Sequence, residues 1–183
     1  MSWRGDVLVE NVEKYGWEKG AEIGVFRGKL FFDLLGRCPK LKMIGIDPWT
    51  VLRGSGTKEE SGFAPYDNIH LKGEDITDIG AGVCRRVKEY KGRSKLYWMS
   101  SLEAVDLVSD KSLDFVVIDG DHRTAFVKAD IINWMPKLKH GGMMFGHDIQ
   151  MESVRKAVKS LMGYFIEEDA NLWFCWKKTI MEA

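Results

Sequence analysis

Cysteine is scarce in this chain. Cys38, Cys84 and Cys175 are odd in number, widely spaced and free of any C-x-x-C pair, which excludes a disulfide framework or a zinc cluster as the organising principle. Such usage predicts buried, reduced thiols. An excess of charge of one sign is lacking too: 27 basic residues meet 27 acidic ones, and the sequence pI is near 6.9. Without a broad positive field, nucleic acid is not expected as a partner. Long hydrophobic runs are also missing. Apolar runs such as residues 115–118 fall far short of the roughly 20 apolar residues of a membrane span, and residues 1–6 show no signal-peptide pattern. The expectation is a soluble, cytoplasmic protein with no membrane contact. Its length suits one domain over residues 1–183 with a single two-sided core.

What the chain does contain is an alternation of helical and strand patterns. Spacing predicts helices over 6–15, 28–36, 75–90, 102–108, 124–135 and 151–162, with Ser100 or Ser101 as the N-cap of the fourth and Pro136 stopping the fifth. Strands are predicted over 21–26, 41–46, 95–99, 113–118 and 143–145, and a final hairpin pairs 164–168 with 172–177 across Asp169-Ala170-Asn171. That order predicts an α/β fold, a doubly wound and mostly parallel seven-stranded sheet with right-handed crossovers, closed by an antiparallel hairpin. From 49 to 72 the pattern is lost among Gly54, Gly56, Gly62, Pro65 and Asn68, so this stretch is expected to be a substrate loop or lid.

Four strands end in glycine and an acid: Glu22-Ile23-Gly24-Val25-Phe26-Arg27-Gly28, Gly45-Ile46-Asp47-Pro48, Val117-Ile118-Asp119-Gly120-Asp121-His122, and residues 141–148 closing on Gly146-His147-Asp148. In an open parallel sheet those ends line one crevice, so their polar residues would gather around one ligand. Gly24 and Gly28 flank the first turn, where a missing Cβ lets backbone N–H groups approach a ligand; packing is the alternative. Their spacing lacks the third glycine of the dinucleotide fingerprint. Asp47 stands where an acid can accept from ribose hydroxyls, or it is a turn residue before Pro48.

These motifs together resemble the class I S-adenosylmethionine-dependent methyltransferases, over about residues 20–178. The nearest likeness is to a small O-methyltransferase-like branch in which strand four ends I-D-G-x-H and strand five reads G-G-x-x-x-x-H-D, here at 118–122 and 141–148. Thr124-Ala125 departs from the aromatic common in that branch. The resemblance implies S-adenosylmethionine as cofactor, with Glu22, Gly24 and Gly28 around its methionine part. Asp47, with Pro48 and Trp49, would be at the ribose, Ser100 and Ser101 near the adenine, and Asp119 also in contact. In the metal-dependent O-methyltransferases that this site resembles, residues corresponding to Asp119 and Asp148 hold a divalent cation. His147 is a softer third ligand, suited to Mn²⁺, Fe²⁺ or Zn²⁺ better than Mg²⁺. A metal-free site is equally compatible.

The catalytic residues expected are His122 as general base, since an ordinary imidazole titrates near pH 6.5, with Asp119 and Asp148 as acceptor or metal ligands. Capping or packing is the alternative for His122, and a strand-end hydrogen bond for His147. Asp121 either orients His122 or is solvated. Trp49, Phe63 and Tyr66 would stack on adenine, cover the acceptor or fill core. The basic residues from Arg85 to Lys95 read as a solvated face, and Trp173, Phe174 and Trp176 as core or an oligomer contact. The expected activity is methyl transfer to oxygen of a small molecule or sugar, and a homo-oligomer is compatible. One rival is a nicotinamide-dependent oxidoreductase, disfavoured by the absent glycine and the hairpin. The other is a non-catalytic cofactor-binding module.

Overall fold

A computed structural model of the chain describes residues 3–50, 71, 73–168 and 171–177. Most of the expected lid, including Phe63, Tyr66 and His70, lies outside the described residues. Helix α1 (Arg4–Tyr15) leads into strand β1 (Lys19–Ile23), helix α2 (Lys29–Arg37) and strand β2 (Lys42–Ile46). Next come helix α3 (Ile76–Arg86), strand β3 (Ser94–Tyr97), the one-turn helix α4 (Ser101–Ala104), strand β4 (Leu113–Ile118) and helix α5 (Thr124–Trp134). Strand β5 (Leu138–Gly146), helix α6 (Glu152–Leu161), and strands β6 (Ile166–Glu168) and β7 (Leu172–Trp176) end the described order.

The seven strands form one sheet in the order β3-β2-β1-β4-β5-β7-β6. The pairings from β3 to β5 are parallel, while β7 runs antiparallel to both β5 and β6. The doubly wound sheet and its closing hairpin are therefore as the alternation of patterns predicts. Strand order reverses between β1 and β4, so the ligand crevice of such a sheet opens at their carboxyl ends.

Strand alternation sorts the core into two layers. Leu8, Val9 and Val12 of α1, Leu30, Phe31, Leu34 and Leu35 of α2, and Ile79 and Val83 of α3 pack on Met43, Phe115, Val117 and Phe145. On the other face Ala21, Ile23, Val116, Ile118 and Met144 meet Val127, Ile131 and Trp134 of α5, and Val154 and Val158 of α6. Because Ala21 and Ile23 belong to the second layer, Glu22 between them faces the first, beneath α1 and α2. Trp173 lies fully buried in the second layer, while Phe174 and Trp176 pack against the first, so all three serve the core.

Some boundaries differ from the sequence expectation for local reasons. Strand β1 stops at Ile23 because Gly24 (φ +90°), Phe26 (φ +49°) and Gly28 (φ +72°) turn the chain into α2. Strand β5 begins five residues early, at Leu138, paired with Leu113 across an irregularity in β4. Arg93, read as part of a solvated face, instead donates Nη1 to the carbonyls of Leu35, Cys38 and Leu41 and closes the end of α2. Cys38 and Cys175 are buried as expected, whereas Cys84 is only half-buried; all three are free.

At Gly24 the turn after β1 packs tightly against the end of β4. Its N–H donates to the Ile46 carbonyl at 2.9 Å, and a Cβ there would lie 2.1 Å from the Asp119 carbonyl oxygen. Gly24→Ala is expected to cost roughly 2 to 5 kcal/mol, combining left-handed strain with overpacking. Gly73, at φ +81° with nothing within 4 Å of its hypothetical Cβ, isolates the strain alone, so Gly73→Ala should cost about 1 to 2 kcal/mol. Urea midpoints of the two variants check this, and equal losses would show that the contact with Asp119 is not tight.

Candidate active site

The turn after β1 is held from beneath by Asp47, which is fully buried. Its Oδ2 accepts the Phe26 N–H at 2.8 Å and its Oδ1 the Trp49 N–H at 2.7 Å. Burial raises its pKa, and these N–H donors partly offset the rise. Both oxygens of Asp47 thus accept from backbone in this structure. Pro48 is half-buried. Trp49, at φ +37°, donates Nε1 to the Phe26 carbonyl at 2.8 Å and packs over Gly80 with no exposed surface. It braces the loop from the core side, and Trp98 beside it, 43% exposed, is the aromatic that stays open.

The two serines differ in role. Ser100 caps α4 by accepting the Glu103 N–H, and Glu103 reaches back to the Ser100 N–H at 2.9 Å. Ser101 donates to Asp130 Oδ1 at 2.5 Å and accepts from Trp134 Nε1 at 2.8 Å. Both therefore fasten the segment after β3. Asp130 is 6% exposed, and burial pushes its carboxyl up to about 6 although Ser101 pulls the other way.

Asp119, His122, His147 and Asp148 come together at the ends of β4 and β5. Nε2 of His122 lies 3.0 Å from Asp148 Oδ2, off the hydrogen-bond axis, and 3.7 Å from Asp119 Oδ1. Nδ1 of His147 lies 3.1 Å from Asp148 Oδ2 and 3.5 Å from Asp119 Oδ1. Asp148 reaches both imidazoles from a left-handed backbone, φ +57°. Asp121 does not orient His122 and is not simply solvated: it holds Arg123 through both carboxylate oxygens and accepts the Arg123 N–H. At the departure from the resembled pattern, Thr124 donates to the Ser153 carbonyl at 3.0 Å and links α5 to α6.

Charge at this centre is mutually determined. Burial would lower both imidazole pKa values, but the flanking carboxylates win and raise each to about 9. Burial would raise Asp119, yet the histidines and Arg4 hold it at about 2, and both histidines draw Asp148 below the usual carboxylate range. A pKa of about 9 favours the protonated form of both rings at neutral pH, whereas the base expected at His122 must start neutral. Among the described residues, Asp119, His122 and Asp148 have ligand atoms within 4.8 Å of one another. Two carboxylates and an imidazole suit a divalent cation displacing the imidazole proton. His122 belongs to that group, and His147, expected in it, stands beside Asp148.

Two charged residues join the centre. Arg4, the first residue of α1, places Nη1 2.5 Å from Asp119 Oδ2. Its signal in the sequence is its position: a cation in a first helical turn opposes the helix dipole and needs another partner. Glu22 is 1% exposed with Oε2 unpartnered among the described residues, and burial, partly offset by Arg4, raises its pKa well above the carboxylate range.

A family model described as a methyltransferase domain matches residues 21–149, from β1 through the end of the His147-Asp148 motif. The chain belongs to this methyltransferase domain family. Among solved structures, the O-methyltransferase NovP aligns with a TM-score of 0.70 at 16% identity, covering 94% of this chain and 77% of its own. A Staphylococcus aureus protein assigned as a caffeoyl-CoA O-methyltransferase aligns at 0.64 and 15% identity, covering 96% and 84%. Rv0187 from MTB, solved with cofactor bound, aligns at 0.62 and 13% identity, covering 97% and 81%. At such identities these likenesses concern the fold. A curated relative, the uncharacterized protein y4gI of Sinorhizobium fredii, is 36% identical over 64 residues, which is 35% of this chain and 7% of that protein. Among the described residues of this methyltransferase, no helix is long and apolar enough to cross a membrane.

Asp130 offers a test of the buried network behind the crevice. With a folded pKa of about 6 against an ordinary 3.8, the folded state holds the proton more tightly, so the penalty grows as pH rises from about 4 to 6 and is constant above. Asp130→Asn should therefore match the parent near pH 4 and be more stable at pH 7, by up to about 3 kcal/mol. Denaturant midpoints against pH check it; a difference independent of pH would show that the folded pKa of Asp130 is not raised.

Proposed function

We propose that this methyltransferase uses S-adenosylmethionine to methylate a hydroxyl oxygen of a small molecule or sugar. The observation that carries the reading is the meeting, at the β1/β4 switch point, of the Gly24–Gly28 turn with the Asp119, His122, His147 and Asp148 cluster. The turn fits the cofactor's amino-acid end: Gly24 and Gly28 carry the backbone through positive φ, and Glu22 holds a buried acceptor without a partner among the described residues. The cluster fits an acceptor hydroxyl, because two carboxylates and two imidazolium groups offer both accepting and donating partners to one oxygen.

Bound S-adenosylmethionine would supply an electrophilic methyl, and a divalent cation on Asp119, His122 and Asp148 would supply Lewis-acid character that lowers the acceptor's pKa. The chain's own task is placement. With no cation bound, His122 and His147, protonated between the acids, orient the acceptor hydroxyl, and Asp119 or Asp148 accepts its proton. With a cation bound, His122 would be a neutral ligand and His147 alone would orient the acceptor. Asp119 and Asp148 anchor the imidazoles, and the core packing under Trp49 and Trp173 excludes water from behind.

The reading is tested by titrating the purified chain with S-adenosylmethionine and with NAD in a calorimeter, then assaying a panel of hydroxyl acceptors with and without chelator. Binding of S-adenosylmethionine and not NAD is expected, with turnover on at least one acceptor. His122→Ala should keep cofactor affinity while turnover falls roughly 10²- to 10³-fold, the usual worth of one positioned donor. Asp119→Asn and Asp148→Asn should lose activity together with any response to added metal. Binding of NAD alone would overturn the reading, and S-adenosylmethionine binding with no turnover on any acceptor would favour a cofactor-binding module.

A further inference from the structure

Asp119 meets a nitrogen on each of its oxygens. Oδ1 faces His147 Nδ1 at 3.5 Å and His122 Nε2 at 3.7 Å, while Oδ2 receives Arg4 Nη1 at 2.5 Å. The pair with Arg4 is sheltered, its side chains 16% and 12% exposed, so water and salt screen it less than they would a surface pair. A guanidinium also keeps its charge at any working pH. The fold brings this charge to the crevice at some expense, because Arg4 opens α1, where a cation faces the positive end of the helix dipole. Even so, the turn is fastened there. Trp3 Nε1 donates to Asp33 Oδ2 at 3.2 Å, Arg37 donates to Asp6 at 2.7 Å, and Lys29 Nζ lies 3.7 Å from the centre of the Trp3 ring. Gly5 allows the approach to α2, since a Cβ there would lie 2.2 Å from Asp33 Oδ2.

Asp119 is also one of the three residues, with His122 and Asp148, that could hold a divalent cation. Arg4 and such a cation would therefore compete for one carboxylate. We propose that Arg4 is a positioning residue that serves as the cluster's resident counter-charge: its guanidinium on Asp119 takes the place of a divalent cation, fixes the carboxylate that faces both imidazoles, and keeps divalent metal out. An entering cation would have to share Asp119 with a fixed positive charge or displace it. Displacement would leave that charge without its acid at the start of α1. The inference rests on the reading of this cluster as the acceptor centre, and it selects the form of that centre in which no cation is bound. Arg4 lies outside residues 21–149, the stretch that the family model matches.

The test titrates the full chain with manganese chloride by calorimetry and counts bound Mn²⁺ from the loss of the free ion's electron paramagnetic resonance signal, neither of which depends on turnover. Arg4→Gln should bind Mn²⁺ about 10- to 1000-fold more tightly than the parent, the span by which one neighbouring unit charge shifts an ionisation. Arg4→Lys keeps the charge and can replace a contact made through one nitrogen, so it should stay within about threefold of the parent. Adding Asp119→Asn to Arg4→Gln should abolish the gain. Thermal melts confirm folding, and Arg4→Leu, a strong helix former, repeats the measurement without a polar side chain. Equal Mn²⁺ affinity in the parent and both neutral variants overturns the counter-charge role, as does a gain that survives Asp119→Asn. A gain in Mn²⁺ affinity in a chain that methylates no acceptor supports the counter-charge role and overturns only the catalytic reading.

Discussion

The crevice depends on one close approach, that of Gly24 to the Asp119 carbonyl. Only a residue without Cβ fits there, and only one tolerant of φ +90° can then carry the chain into α2. This contact brings the turn after β1 against the end of β4, and so sets the backbone cradle beside the acid that anchors both histidines. Asp47 is committed by the same constraint. The turn's N–H groups need buried acceptors, and Asp47 supplies one to Phe26 and another to Trp49.

Much of this was legible in the amino-acid sequence. Apolar runs ending in Gly24, Asp47, Asp119 and Asp148 have the signature of parallel strands meeting at a switch point, because a strand buried on both faces must be apolar until it leaves the sheet. The closing hairpin was legible from the Asp169-Ala170-Asn171 break between two strand-like runs.

The rest was hidden because it depends on partners distant in the chain. The pKa of about 9 at His122 overcomes burial by drawing on Asp119, three residues before it, and also on Asp148, 26 residues on, which only the fold brings beside it. Ser101 reads as an exposed cap until Trp134 and Asp130 are seen to claim its hydroxyl. Trp49 reads as a ligand platform until Gly80 proves to be the surface beneath it. Arg4 lies 115 positions from Asp119, with only its awkward place in a first helical turn to suggest a purpose.

That placement makes the opening turn of α1 a reporter. A cation at the positive end of a helix frays it unless an external acid holds the charge, so the amides of this turn are protected from exchange only as far as the guanidinium stays engaged. Hydrogen exchange at α1, on the flank of the molecule, thus becomes a remote readout of the electrostatics in the crevice.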